Sequence, residues 1–382
     1  MKTLALFLAV ALSPLSATAL AQTATFSLPT DTIRVPGDTV IGGAITIEAR
    51  ILVSGPSSSG VVFNEQSDFK EDKLLGVGPT QLSGYAWRGP HHASIPGPTT
   101  WDRCKWTHVA FVAERNTERL YVDGALVGTQ SISGTIQNFG GSPMSVGALT
   151  PRLGPLRVAF AGSIDWLRIS SVARYSGPAV APPVADPAPD GSTVLLYHFS
   201  EAPGSATVID QGPNGWDGVL GAGFVGATSP TLGLAPGPNR YCTAGTTANG
   251  CTASICATGA SSASAPTGFS LSTVGVEGSK DGLYFFGTNG RQAQPWGNGS
   301  SFQCVVPPVQ RTPLLSGSGT VGQCDGSFSR DLNALWCPSC PSPSKNPGAG
   351  AVVQAQLWFR DPFNTSNQTT SLSDALEFVV GP

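Results

Sequence analysis

The sequence predicts an all-β protein built as two sandwiches in tandem. Three observations carry this. Gly (47) and Pro (32) are abundant among 382 residues while charged residues make up only 12%, a composition of many turns and few solvated helices. Short apolar runs alternate with period two between Gly/Pro/Asn/Ser turns, the pattern of half-buried strands. No segment of a dozen residues carries a helical period, and the chain is long enough to bury two cores.

The chain opens on an export signal. Lys2 supplies a positive start, Leu4 to Leu12 form an apolar stretch, and Pro14 breaks it. Ala19-Leu20-Ala21 places small residues at both recognition positions, so residues 1–21 read as a signal peptide cleaved before Gln22. The stretch is too short to span a bilayer, and no later segment is long and apolar enough to do so. The expected destination is extracytoplasmic: periplasm, cell surface or extracellular space. The formal net charge of −3 gives no basic surface and argues against a nucleic-acid partner.

Residues 22–232 read as the first domain. Ile45 to Ile51 alternates so that one face is buried, and His108 to Val112 does the same. Arg119 to Val122 meets Asp123-Gly124, a two-residue hairpin signal, and Ala125 to Gly128 returns. Gly162 to Ile169 alternates again. Val194 to Phe199 is a continuous apolar run, as in a central strand. The Pro/Ala-rich stretch Gly177 to Asp190 has linker composition. It is read as an insertion within the domain, because the strand after it is needed to complete the sandwich. Residues 233–240 are the expected linker, since composition changes there and cysteine becomes frequent.

Residues 241–382 form the expected second domain, Cys-rich and also β. Its clearest strands are Gly282 to Phe286, Phe302 to Val306, Val352 to Phe359 and Ala375 to Val380, with room for one helical turn at Asp331 to Trp336. Seven of the eight cysteines lie here: Cys242, Cys251, Cys256, Cys304, Cys324, Cys337 and Cys340. In an oxidising compartment they read as a disulfide framework. Eight cysteines allow 105 pairings, and Cys104, alone in the first half, can pair across domains, between chains or not at all. Cys337-Pro-Ser-Cys340 also invites a zinc reading, with Cys304 and Cys324 completing the set, or a redox one. Export favours disulfides over both.

Four segments in order resemble the laminin G-type, concanavalin A-like jelly roll of bacterial exported proteins. They are Thr46 to Ile51, in which Arg50 stands where that family writes an aromatic; Trp106 to Phe111 with Arg119 to Gly128; Phe160 to Ile169; and Leu196 to Phe199 with Asp210 to Gly218. The resemblance covers about 200 residues and implies a jelly-roll sandwich for the first domain. The second half resembles a Gly- and Cys-rich module of unassigned activity found at the C-terminus of other exported bacterial proteins. Val276 to Gly282, Gly287 to Gln292 and Thr365 to Asp374 carry that likeness.

The expected function is secreted, non-catalytic binding of a glycan or a protein. Glucanases of this fold carry a Glu-x-Asp-x-x-Glu strand that sets two carboxylates in the cleft. The sequence has none: Glu65 to Asp68 and Asp68 to Glu71 do not match. No Gly-x-Ser-x-Gly elbow is present, and His108 and His198 fall inside strands. Two other readings stand beside binding: a structural surface or matrix component without a soluble ligand, and a glycoside-active enzyme with an unrecognised acid pair. Trp87 and Trp101, flanked by loop and polar residues, are the candidate ligand contacts, because an exposed indole stacks on the C–H face of a sugar. Trp106 opens a strand and reads as core, and Trp296 is a similar candidate in the second domain. The resemblance also implies structural Ca²⁺, bound by Asp210, Asn214 and Asp217 in a Gly-rich turn. The same residues can instead cap that turn.

Overall fold

The computed structural model describes residues 23–382 except 54–59, 68–69, 79–80, 90–94, 98–103, 139, 142, 149–158, 184–185, 224, 234–237, 297–300, 340–344 and 363–368. The signal peptide, Trp101 and Cys340 therefore lie outside the described residues.

The first part of the chain contributes β1 (Thr23–Phe26), β2 (Ile33–Val35), β3 (Ala44–Val53), β4 (Gly60–Ser67), β5 (Lys70–Val77), β6 (Leu82–Ala86), β7 (Ile95–Pro96), β8 (Thr107–Glu114), β9 (Thr117–Val122), β10 (Ala125–Ser131), β11 (Met144–Val146), β12 (Gly162–Ser170), β13 (Thr193–Tyr197), β14 (Thr207–Val208), β15 (Gly218–Leu220) and β16 (Thr231–Gly233). They build two antiparallel sheets. One has the order β10-β9-β8-β3-β12-β1-β16, with β13 also on β12; the other has the order β14-β15-β2-β11-β4-β5-β6-β7. The core between them holds Ile45, Ile47, Phe63, Phe111, Leu167 and Tyr197 among others. Asp123 and Gly124 take φ of 45° and 81° in the β9–β10 turn, the left-handed pair that a tight hairpin requires.

Two sequence expectations change here. Alternation in β3 and β8 predicts one buried face, yet nearly every residue of both strands is buried. The segment following β12 lies on the outer face of the sheet, where Tyr175 packs with Ala110, Val112 and Tyr121, and Ala173 and Val180 join them. The apolar run 194–199 predicts a central strand, but among the described residues β13 pairs with β12 alone and forms an edge. Its apolar residues face the core, and the turn described below occupies its open side.

The second part contributes β17 (Asn239–Tyr241), β18 (Ser254–Gly259), β19 (Phe269–Val276), β20 (Asp281–Gly287), β21 (Arg291–Trp296), β22 (Ser301–Val305), β23 (Gln310–Arg311), β24 (Leu315–Ser316), β25 (Gly326–Asp331), α1 (Asn333–Trp336), β26 (Val352–Arg360) and β27 (Thr370–Val379). A sheet of order β17-β27-β26-β20-β23, with β24 on β20, packs on a sheet of order β18-β19-β25. The core between them contains Tyr284, Phe286, Trp336, Leu357, Phe359 and Phe378. On the other face of the larger sheet, Phe285 and Leu372 are buried against Val305 of the β21–β22 hairpin.

The disulfides are Cys104–Cys256, Cys242–Cys304 and Cys251–Cys324, and Cys337 is also disulfide-bonded. Cys104 thus ties the first part of the chain to β18 of the second. With Cys304, Cys324 and Cys337 engaged in this way, a thiolate zinc site is excluded, because zinc needs free thiolates. Disulfides of this kind go with an extracytoplasmic location. No helix among the described residues is long and apolar enough to cross a membrane.

Candidate functional site

Alternation in β26 creates a surface with an aromatic cleft. Val353, Ala355, Leu357 and Phe359 point into the core. The opposite phase, Gln354, Gln356, Trp358 and Arg360, therefore shares the other face. Register carries that face across the sheet: Trp358 lies opposite Leu283 of β20 and Leu372 of β27, and Phe285 lies opposite Arg311 of β23. The β21–β22 hairpin folds over this face. Its strand β22 is pinned by the Cys242–Cys304 disulfide and by the Tyr241 hydroxyl, which donates to the Cys304 carbonyl at 2.8 Å. The Gln356 amide donates to the carbonyls of Phe302 and Ser373 at 2.8 and 2.6 Å and accepts from Cys304 N–H at 3.0 Å.

Between hairpin and sheet a cleft of about 210 Å³ remains, lined by Leu283, Phe285, Trp296, Gln303, Val309, Arg311, Trp358 and Leu372. Its two tryptophans are half-buried. The Trp296 indole N–H donates to Thr370 Oγ1 at 3.1 Å. That bond fixes the ring and leaves its face, rather than its polar edge, for a ligand. The Arg360 guanidinium lies 5.8 Å from the Trp358 ring centroid, a cation–π contact that adds a second positive group beside the aromatic floor. No carboxylate is among the described lining residues. Sequence reading singled out Trp296 but missed Trp358, Arg311 and the floor residues. The available signal was phase: Trp358 falls in step with Gln354, Gln356 and Arg360, on the polar side of an alternating strand.

The first-domain candidates occupy a different place. Trp87, half-buried, packs edge-on against Tyr85 at 6.4 Å, and its indole N–H donates to Gln137 Oε1 at 3.1 Å. Trp106 is buried, as expected for a core residue, and Arg50 caps its ring at 5.2 Å. Arg50, at the position where an aromatic was expected, thus meets an aromatic across the sheet and also pairs with Asp165.

Asp210, Asn214 and Asp217 do come together in one turn, and that turn closes the open edge of β13. Asp210 Oδ1 accepts the N–H groups of Leu196 and Gly212 at 2.9 and 2.8 Å, and its Oδ2 accepts Trp216 N–H at 3.0 Å. Asp217 Oδ1 accepts Asp210 N–H at 2.9 Å, and Asn214 Nδ2 donates to the Val194 carbonyl at 2.8 Å. Both Asp210 oxygens are therefore committed to backbone donors, and among the described residues no group of three or more His, Cys, Asp or Glu could hold a metal. In this arrangement the three side chains serve the turn as hydrogen-bond partners. They act as a substitute strand that satisfies an exposed sheet edge. Asp210→Ala strands three backbone donors and is expected to cost about 2–3 kcal/mol in urea unfolding. Calcium or chelator is expected to leave the wild-type midpoint unchanged; a midpoint raised by calcium and lowered by chelator would restore the ion-binding reading.

Several buried titratable groups, none of them among the described lining residues of the cleft, are held by ion pairs and hydrogen bonds. Glu48 of β3 receives the His108 ring N–H at 3.0 Å, Arg168 Nε at 2.8 Å and the Tyr175 hydroxyl at 2.6 Å. Burial pushes its carboxyl up, but these partners outweigh burial and hold it below the usual range. His198 Nε2 lies 3.0 Å from the Pro187 carbonyl. Both histidines that sequence reading assigned to structure are thus engaged in packing. Asp374 of β27 pairs with Arg240 at 2.9 Å, and its pKa is raised to about 7, chiefly by burial.

Residues 28–176 match the family model Laminin_G_3, described as the concanavalin A-like lectin/glucanases superfamily, so this stretch is a concanavalin A-like domain. No curated protein matches the chain. Similar solved structures include one described as "a putative carbohydrate binding protein" from Bacteroides ovatus, at 15% identity, 56% of this chain, 62% of that one and TM-score 0.41. The LG4-5 domains of the mouse laminin alpha1 chain are similar at 11% identity, over 99% of this chain and 86% of that one, with TM-score 0.34. CBM40 of the Ruminococcus gnavus IT-sialidase is similar at 13% identity, over 41% of this chain and 95% of that one, with TM-score 0.30. The chain thus spans 62% of the length of the Bacteroides ovatus structure.

Proposed function

We propose that the protein is an extracytoplasmic, non-catalytic binding protein that holds a glycan on the tryptophan faces of the second-domain cleft. The observation that carries this is the pair Trp296 and Trp358, half-buried in one apolar cleft with the Trp296 ring fixed by Thr370. Aromatic faces held open in this way suit the C–H face of a sugar ring, which offers apolar area without demanding buried polar partners. Glycosidic hydrolysis needs two carboxyl groups flanking the bond, and the described lining residues of the cleft include none, which supports binding over catalysis. The concanavalin A-like domain then serves as the companion module, covalently joined through Cys104–Cys256.

A glycan-array screen of the protein lacking residues 1–21 tests this. Specific hits are expected, with Trp296→Ala and Trp358→Ala each weakening binding at least about tenfold, in line with about 1–3 kcal/mol for an aromatic stacking contact. Trp87→Ala is expected to leave the hits unchanged. Loss of binding in Trp87→Ala alone would move the site to the first domain. A blank array accompanied by self-association of the protein would favour the structural-component reading.

A further inference from the structure

We infer that the glycan taken by the second-domain cleft is acidic, an oligosaccharide bearing uronate carboxylates. This rests on the glycan-binding reading and adds the charge of the ligand. The argument starts from how the chain uses its arginines. Arg50, Arg88, Arg119, Arg168, Arg174, Arg240 and Arg291 are each within ion-pair distance of a carboxylate. In a chain of net charge −3, with 24 acidic against 21 basic residues, carboxylates are in surplus. Yet Arg34, Arg115, Arg311, Arg330 and Arg360 have no ion-pair partner among the described residues, and of these Arg311 and Arg360 have exposed side chains on the face that carries the cleft.

Their placement is specific. Arg311 lines the cleft and is the one charged residue among the described residues of its wall. Arg360 is two residues beyond Trp358 on the same strand face, with its guanidinium near the Trp358 ring, and lies opposite Thr370, the residue that anchors Trp296. Arg311 sits opposite Phe285, which in turn sits opposite Gln356, four residues from Arg360 along β26. Strand rise and inter-strand spacing then set the two arginine Cα atoms roughly 15 Å apart. A single uronate offers one carboxylate to two cations, whereas a short oligomer can lay its rings over Trp358 and Trp296 and present a carboxylate to each. A planar guanidinium receives a carboxylate through two parallel N–H···O bonds. The apolar floor lowers the local dielectric and strengthens that pairing relative to open water. A neutral glycan would leave both cations without a partner.

The test is titration calorimetry on the intact protein with oligogalacturonate, oligoalginate and hyaluronan fragments, each beside its methyl-esterified counterpart. At least one acidic oligomer is expected to bind, its esterified form at least about tenfold more weakly, with affinity falling between 50 and 300 mM salt as charge pairing is screened (a Debye length of roughly 10 Å at 0.1 M). Arg311→Gln and Arg360→Gln are each expected to weaken acidic binding at least about tenfold while retaining the wild-type unfolding midpoint and any residual binding of the esterified form. Equal affinity for acidic and esterified forms, unmoved by Arg311→Gln, overturns the inference and leaves glycan binding standing. Neutral hits on the array with no uronate bound overturn it in the same way. Failure of every glycan, acidic or neutral, overturns the parent reading with it. Binding of a poly-glutamate peptide through the same arginines, with no glycan bound, reassigns the cleft to an acidic protein partner and overturns both.

Discussion

Glu48→Ala lowers the stability of the first domain by about 3–5 kcal/mol, the expected result of removing one partner from a buried ion-pair network. Glu48 sits on β3 with no solvent exposure, and Arg168, His108 and Tyr175 all direct hydrogen bonds to its two oxygens. Arg174 adds a longer contact at 3.7 Å and also pairs with Asp190 at 2.8 Å, joining the two ends of the segment that covers this face. Removing the carboxylate leaves the Arg168 charge and the Tyr175 hydroxyl without their acceptor beneath that cover. Glu48→Gln keeps the shape and one acceptor oxygen, so a smaller loss is expected from it. The sign with pH follows from the lowered carboxyl pKa. The stabilisation is present above the ordinary value of 4.5 and is lost as pH falls through the folded value. Urea unfolding at pH 7 and at pH 3.5 checks both points. The gap between wild type and Glu48→Ala is expected to narrow at the lower pH. A gap that stays constant would show that packing, rather than charge, carries the effect.

Trp336→Ala is expected to cost the second domain about 3–5 kcal/mol, the range for truncating a large buried aromatic. Trp336 ends the single turn α1 and is fully buried, stacked on Phe378 at 6.1 Å and edge-on to Phe286 at 5.4 Å. The turn is held from outside itself. Asn333 Nδ2 donates to the carbonyls of Ala260 and Thr267 at 3.0 and 3.2 Å, its Oδ1 accepts Ser262 N–H at 2.9 Å, and Asn346 Nδ2 donates to the Trp336 carbonyl at 2.8 Å. The backbone therefore stays in place when the side chain is cut, and a cavity remains. The Trp336 indole N–H is buried with no hydrogen-bond partner among the described residues. Trp336→Phe removes that unsatisfied donor while keeping most of the ring contact, so it is expected to lose less than half of what Trp336→Ala loses. Thermal unfolding of both variants separates the two contributions. Equal losses would mean that the indole N–H has a partner in solution.

The sequence by itself determined the elements whose cause is local. Alternation marked β3, β8 and β12 because successive side chains of a strand face opposite sides, and apolar runs marked β20, β26 and β27. Asp123-Gly124 marked its hairpin because few residues adopt its left-handed backbone, and the single turn at Asn333–Trp336 was legible as well. Tertiary structure decided what each face meets. Glu48 occupies a polar phase of β3 that reads as solvent-facing, and it is buried only because the segment after β12 returns across the sheet. Asp210 reads in the sequence as a turn residue or a cation ligand, and the structure sets it against the edge of β13, whose Leu196 N–H it accepts. Cys104 found Cys256 across 152 residues of separation, a choice that no spacing rule makes among 105 pairings. The cleft is the clearest case. Trp296, Trp358 and Arg311 come from three strands, and each alone reads as ordinary. Only the fold of the β21–β22 hairpin over the larger sheet brings them together, because side-chain phase is a local property whereas the partner facing it is set by pairing between distant strands.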